Sequence, residues 1–420
     1  MKPLGLFLLS VSTLAAADNT FLLRGATIHP VSAPKVEGAS LLVKDGKIAE
    51  IGVKIIVPKG TRVIEAKGLH VYPGMIDSAT EIGLSEVSSV RETQDTNEMG
   101  DFKPQLRAAI AVNPASDHIP VIRANGTVAA IALPGGGIIA GQASLMRLDG
   151  WTWEEMEIKR SAAMHLLFPT ISTVSFSFSE GVSRAGFSEA RRNYERRLKL
   201  LQDYLESARR YQKAKAAKTA GLKPDLALEA MLPVLEGRIP VLINAVRERA
   251  IREAVQWAEK ERIKVILSGV RRPGSTLAEL KAKNIPVILG PTQALPMEED
   301  DPYDAAFTLP AEMHRAGVKF AFGSFGNQFA RNLPYQAATA VGFGLPYEEA
   351  LKSVTLYPAQ IWGVDDRMGS IETGKSADFI ITDGDPLEVQ TQVKRMFVDG
   401  KEVDLESKHT LLYKKYLARP

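Results

Sequence analysis

The sequence predicts an α/β protein: a (β/α)8 TIM-like barrel carrying a small β-sandwich domain assembled from both ends of the chain. Three observations carry that reading. Through the middle of the chain, short apolar runs alternate with helix-patterned stretches, as parallel βα units require. Strand-patterned segments with Asp-Gly turns stand at both ends, each too small to enclose a core of its own. The length, 420 residues, fits one barrel and one appended unit.

At 45% hydrophobic and 24% charged residues, the composition is that of an ordinary globular chain. The net charge is +3 with cations dispersed, which gives no basic stripe for nucleic acid or for an anionic membrane. No cysteine is present, so disulfides, thiolate metal sites and lipid anchoring through Cys are excluded. Residues 1–17 read as a signal peptide: Lys2, an apolar run from Leu4 to Leu14, then Ala15-Ala16-Ala17. That run is too short for a permanent span, so the mature chain is expected to have none and to reside in the periplasm or outside the cell.

Residues 18–70 and 365–408 are expected to form the composite domain. Ser40–Lys44 meets Lys47–Ile51 across Asp45-Gly46, and Lys394–Val398 turns through Asp399-Gly400 into Lys401–Val403. Residues 71–364 are expected to form the barrel. Its strands read as Val71–Asp77, Val128–Leu133, Met164–Phe168, Pro240–Asn244, Lys264–Ser268, Pro286–Gly290 and Lys319–Gly323, with the eighth placed at Val174–Phe178. Glu248–Glu261 shows the helical spacing of Ile251, Ala254, Val255 and Ala258. No Gly-x-Gly-x-x-Gly run follows the first strand, which argues against dinucleotide binding.

Two insertions stand out. Gly135-Gly136-Gly137, with Gln142 shortly after, follows the second strand at the end where barrels build their sites; it is either a ligand loop or a plain connection. Ser188–Lys218 is a long basic helix whose Tyr194, Leu198, Leu201, Leu205 and Ala208 form a packing stripe, within the chain or across a dimer. Among six histidines only His165 falls on a proposed barrel strand. It reads either as a general base near Ser78 or Ser268 or as a hydrogen-bonded interior residue. Asp77, Glu81 and Glu86 near the first strand end read either as an acidic site or, Asp77, as structural and the two glutamates as loop surface.

Several ordered segments resemble the amidohydrolase superfamily, and within it the imidazolonepropionase-like group. They include Pro73-Gly74-Met75-Ile76-Asp77, Ile285–Pro291, Arg331–Tyr335, Leu356-Tyr357-Pro358-Ala359, Gly369–Asp378 and Asp383–Leu387. The resemblance implies hydrolysis of non-peptide C–N bonds, with one or two divalent metals activating water and a strand-end Asp accepting its proton. Carried over residue by residue, the family's ligand and base positions fall on Ser78, Thr80, Asn244, Ser268 and Phe325, and no fourth-strand Lys or Glu is found. Neutral hydroxyls and an amide do not replace the His and carboxylate donors that zinc takes. Two expectations follow. The first is a catalytically impaired pseudoenzyme without a cofactor, binding a small molecule at the barrel mouth or partnering an active relative, as a homodimer or heteromer. The second is a hydrolase of amides, imides or lactams with a remodelled site that is metal-independent or weakly dependent on zinc or another divalent metal.

Overall fold

The structure, a computed structural model, describes residues 19–177, 181–297, 299 and 301–419. The expected signal peptide lies outside them. Eight strands form the barrel sheet: β1 (Met75–Thr80), β2 (Thr127–Ala132), β3 (Ile139–Arg147), β4 (Glu157–Leu167), β5 (Val241–Asn244), β6 (Val265–Ser268), β7 (Val287–Leu289) and β8 (Phe320–Phe322). Sheet order follows chain order. The seam between β8 and β1 is fastened at the mouth, where the Phe325 N–H donates to the Ala79 carbonyl at 2.7 Å.

The seven strands read from the sequence are present, but the eighth is not where it was expected. Val174–Ser177 pairs antiparallel with Gly181–Arg184 in a separate hairpin, and residue 178 lies outside the described residues. The missing barrel strand is β3, antiparallel to both β2 and β4. Its direction follows from chain length. Only Leu133–Ile138 separates it from β2, too few residues for the crossover that a parallel partner needs.

The two chain ends form one continuous sheet in the order 401–403, 393–398, 379–382, 70–73, 21–28, 36–44, 47–52, with 62–65 also paired to 21–28. Both Asp-Gly turns adopt positive φ at both residues (51° and 76° at Asp45-Gly46, 51° and 73° at Asp399-Gly400), the geometry that suits the twist of a tight hairpin. A Cβ at Gly400 would come within 2.6 Å of the Gly46 Cα, so the two turns pack backbone to backbone. The apolar face of this sheet is filled by Phe21, Phe379 and Phe397 with Leu23, Ile28, Leu41 and Ile381.

The stretch expected as one strand from Val71 to Asp77 is divided at Gly74. His70–Pro73 belongs to the end sheet and β1 to the barrel. At the division the chain exchanges partners: Gly74 N–H donates to Asp378 and Met75 N–H to Gly126. A Cβ at Gly74 would stand 2.2 Å from Val128 Cγ1, so only glycine lets the two sheets approach this closely.

The helix Phe187–Ala216 buries Ala190, Leu201, Leu205, Ala208 and Tyr211 against its own chain, and Tyr204 stacks on Phe102 at 4.3 Å. Its apolar stripe is intrachain packing. Helix Glu248–Glu261 buries Ile251, Ala254, Val255 and Ala258, the face its periodicity indicated. Among the described residues no helix is long and apolar enough to cross a membrane.

Candidate functional site at the barrel mouth

β1 delivers Asp77, Ser78, Thr80 and Glu81 to the mouth end of the barrel, each with a different fate. Asp77 is fully buried; its Oδ1 accepts from the backbone N–H of Ser324 (3.0 Å) and Ala79 (3.2 Å), while Oδ2 has no partner. Burial pushes its carboxyl up to about 6, against the pull of the Ser324 and Ala79 hydrogen bonds. Asp77 therefore ties β1 to the residue after β8, the structural role expected of it. The Thr80 hydroxyl donates to the Gly326 carbonyl at 2.7 Å and accepts from the Ile82 N–H, so it too is spent on the seam. Ser78 is sealed, and its Oγ has no partner.

Glu81 was read as loop surface, and the structure places it otherwise. It is half-buried at the end of β1, with no side-chain partner among the described residues, and desolvation pushes its carboxyl up. The sequence offers it as part of an acidic site as well as loop surface, and only the burial separates the two, because a Glu after a strand is ordinarily solvated.

Asn244 and Ser268 end adjacent parallel strands and stand opposite each other in register. Ser268 is sealed, its Oγ also without a partner. Asn244 lines a cleft of about 670 Å³ with Leu167, Phe168, Val246, Phe187, Ala250 and Met297. Phe325 sits at φ 52°, a left-handed conformation uncommon for a bulky residue, held by its N–H bond to Ala79. Its ring packs against the barrel core and near the end of β7. Of the five positions, then, Asn244 and Phe325 are partly open, whereas Ser78, Thr80 and Ser268 are closed off. Asn244 is the member of the five that lines this cleft. The fourth strand in sheet order is β4, whose end carries Leu166, Leu167 and Phe168 and supplies no Lys or Glu.

His165 is buried with Nδ1 2.6 Å from the Pro134 carbonyl; a carbonyl accepts, so Nδ1 carries the hydrogen. Desolvation lowers it to about 4, leaving a neutral imidazole at neutral pH. Neither Ser78 nor Ser268 has a hydrogen-bond partner, so His165 activates neither of them here. In this structure His165 is an interior histidine whose ring bonds to the Pro134 carbonyl.

The glycine loop is filled by the chain's own backbone. A Cβ at Gly136 would fall 1.9 Å from the Asn97 Oδ1, and one at Gly137 would fall 2.8 Å from the Gly100 carbonyl. The buried Lys103 ammonium donates to Asn97 Oδ1 (2.6 Å), Glu98 O (2.8 Å) and Gly135 O (3.2 Å). Gln142 donates to Pro104 O (2.8 Å) and accepts from Ser161. Gly135, Gly136, Gly137 and Gln142 thus seat residues 96–107 along β3, and the ligand-loop reading gives way to a packing one.

These residues do not fit a catalytic zinc. Thr80 is committed to backbone partners, Phe325 has no donor atom, and Ser78 and Ser268 offer neutral hydroxyls in sealed positions. Among the described residues no group of three His, Cys, Asp or Glu is placed to hold a metal. The geometry offers instead a cleft of mixed lining, in which Thr170, Ser172, Thr173 and the Asn244 amide stand among apolar side chains, and elsewhere at the mouth a carboxylate without a side-chain partner, Glu81.

Residues 238–403 match the model of the amidohydrolase family. The amidohydrolase tasK of Hapsidospora irregularis is 25% identical over 395 residues, covering 86% of this chain and 39% of that protein. The imidazolonepropionase of Syntrophobacter fumaroxidans is 43% identical over 60 residues, 14% of each chain. The chain thus spans well under half the length of these curated relatives. Among solved structures, the amidohydrolase from Thermotoga maritima MSB8 superposes with a TM-score of 0.79 at 26% identity, covering 91% of this chain and 99% of that one.

Proposed function

We propose that this chain is a catalytically impaired member of the amidohydrolase superfamily that binds a small molecule at the barrel mouth, a reading supported by the match of residues 238–403 to the amidohydrolase family and by the likeness of the fold. The observation that carries the proposal is the donor set. Five positions corresponding to family ligands and base hold Ser78, Thr80, Asn244, Ser268 and Phe325, and three of these are sealed. Loss at one strand end is compatible with a variant site; loss at every identified strand end removes both the metal-bound water and its base. The cleft beside Asn244 is the place for a ligand, since barrel proteins bind at the ends of their strands. The proposal extends to the imidazolonepropionase-like group, to export after cleavage before Asp18, and to a role as homodimer or as partner of an active relative.

A second reading has one observation in its favour. Glu81, half-buried and without a partner, has the setting of a general base able to work without a metal. On that reading the chain hydrolyses an amide, imide or lactam, as the names of several relatives would suggest. A turnover screen of such substrates, with and without added zinc, separates the two. The proposal expects no turnover above that of the Glu81→Gln variant in either condition. Turnover that Glu81→Gln abolishes would establish the second reading.

A further inference from the structure

The connections leaving β1 (81–107), β7 (290–304) and β8 (323–332) expose Val90, Met99, Leu295, Tyr303 and Phe329 at the mouth face of the barrel. The connections entering β5 to β8 at the opposite face (236–240, 262–264, 283–286 and 316–319) expose no large apolar side chain; Ile239, Ile263 and Val318 are buried there and Ile285 is half-buried. Single apolar residues are ordinary on a surface, but a one-sided set marks an interaction face. Two of the mouth connections are also acidic. The one after β7 carries five carboxylates and no cation, and the one after β1 six carboxylates against three cations. Asp301 pairs with Arg272 at 3.1 Å and Asp101 with Arg197 at 3.7 Å, whereas Glu92, Asp95 and Glu299 are exposed and make no ion pair among the described residues.

The helix Lys408–Leu417 has the complementary character. Its start is fixed by the Ser407 capping box and by Lys408 on Asp117 (3.4 Å), yet every residue from Leu411 to Leu417 is exposed. Leu412 and Tyr413 stand four residues before Tyr416 and Leu417, which puts the four on one face. No acidic side chain and four cations lie between Ser407 and Arg419; Lys414 pairs with Glu406, while Lys415 and Arg419 have no carboxylate partner among the described residues. A helix of ten residues is marginal in water on its own, and its apolar face gains nothing from the chain that carries it. We infer that the helix Lys408–Leu417 docks on the mouth face of a second copy of this chain, with Leu412, Tyr413, Tyr416 and Leu417 on the apolar rim and the cations toward the acidic connections after β1 and β7. Charge complementarity selects this occupant: an anionic membrane would attract the helix and repel those connections, whereas a second copy satisfies both. Each chain carries both surfaces, so a two-fold axis lets two copies make the contact twice and close as a dimer. The contact rests on the homodimer role proposed above and gives that role its surface.

Sedimentation equilibrium of the full chain at micromolar concentration tests the contact. The wild type should be dimeric at low salt and should dissociate progressively as salt screens the charges. The double variants Leu412→Glu/Tyr416→Glu on the helix and Leu295→Lys/Tyr303→Lys on the rim change exposed side chains only, so each should keep a native circular dichroism spectrum. Each should raise the dimer dissociation constant about tenfold or more. Mixed in equal amounts, the two should recover a dimer, because the intact helix of one meets the intact rim of the other. If either fails to fold, Lys415→Glu/Arg419→Glu takes its place and should weaken the dimer at low salt. A dimer that survives the folded variants, or a mixture that stays monomeric, would overturn this contact and leave the homodimer role to another surface. A monomeric wild type would overturn both, whether it stays free or sediments with phosphatidylglycerol vesicles through the helix.

Discussion

Replacing Asp77 by Asn tests the cost of the carboxylate that joins β1 to the end of β8. The side chain is fully buried, and burial moves its carboxyl from an ordinary 3.8 to about 6. The sign follows from linkage. A raised folded-state value means the native protein holds its proton where the unfolded chain has released it, so stability is full below about 3.8 and is lost as pH rises through about 6. A difference of roughly two units corresponds to about 3 kcal/mol at pH 7. Asparagine keeps an acceptor for the Ser324 and Ala79 N–H groups and removes the charge, though its bonds are weaker than those of a carboxylate and its Nδ2 inherits the unpartnered position. The net gain of the variant at pH 7 is therefore expected near 1–2 kcal/mol. Urea denaturation of both proteins between pH 4 and pH 7.5 provides the measurement, and the readout is the difference between them. Asp77→Asn should match or fall slightly below the wild type near pH 4 and exceed it increasingly as pH rises. A pH-independent difference, or a variant that loses ground as pH rises, would refute the argument.

His165 contributes with the opposite sign over the same range. Its folded value is lowered from 6.5 to about 4, so its share of stability is present above about 6.5 and lost as pH falls through about 4, up to about 3 kcal/mol; in denaturation across that range, His165→Gln should lose less stability on acidification than the wild type. Because the two groups oppose each other, the wild-type profile alone will be flatter than either variant's. Gly74→Ala places a methyl 2.2 Å from Val128 Cγ1 and should cost about 1–3 kcal/mol, partly restored by Val128→Ala in the same denaturation assay. Gly136→Ala combines an unfavourable φ of 74° with overlap on Asn97, so it should displace the Lys103 partner. Hydrogen exchange across residues 96–107 should accelerate there and remain unchanged in the helix Glu248–Glu261.

Patterning made most of the fold legible. Seven of eight barrel strands, both Asp-Gly hairpins and the composite character of the end sheet follow from residue type and spacing alone. β3 escaped because Gly135-Gly136-Gly137 reads as an insertion, whereas its glycines admit the backbone of residues 96–107 beside an antiparallel strand. A short glycine turn followed by Ile138–Leu145 is equally the mark of a tight return, and that signal was available. Val174–Ser177 misled because a β-rich run carries no information on which sheet it joins. At the mouth, the sequence could show which residue types stand at the strand ends, but not which of them are sealed. Thr80 looks like a polar mouth residue and is spent on the Gly326 carbonyl; Glu81, one residue later, is held half-buried by the same seam. Such differences arise from contacts hundreds of residues apart in the chain, which no local pattern encodes.

The central claim is that the strand ends no longer hold a catalytic metal. Metal analysis of the full chain, purified without chelator and again after zinc loading and dialysis, tests it most directly. The account predicts substoichiometric zinc, manganese, iron and nickel in both samples, with no change in Asn244→Leu. About one tightly held divalent ion per chain that is lost in Asn244→Leu would contradict it, because a catalytic site needs about three protein ligands and the strand ends would have to supply them.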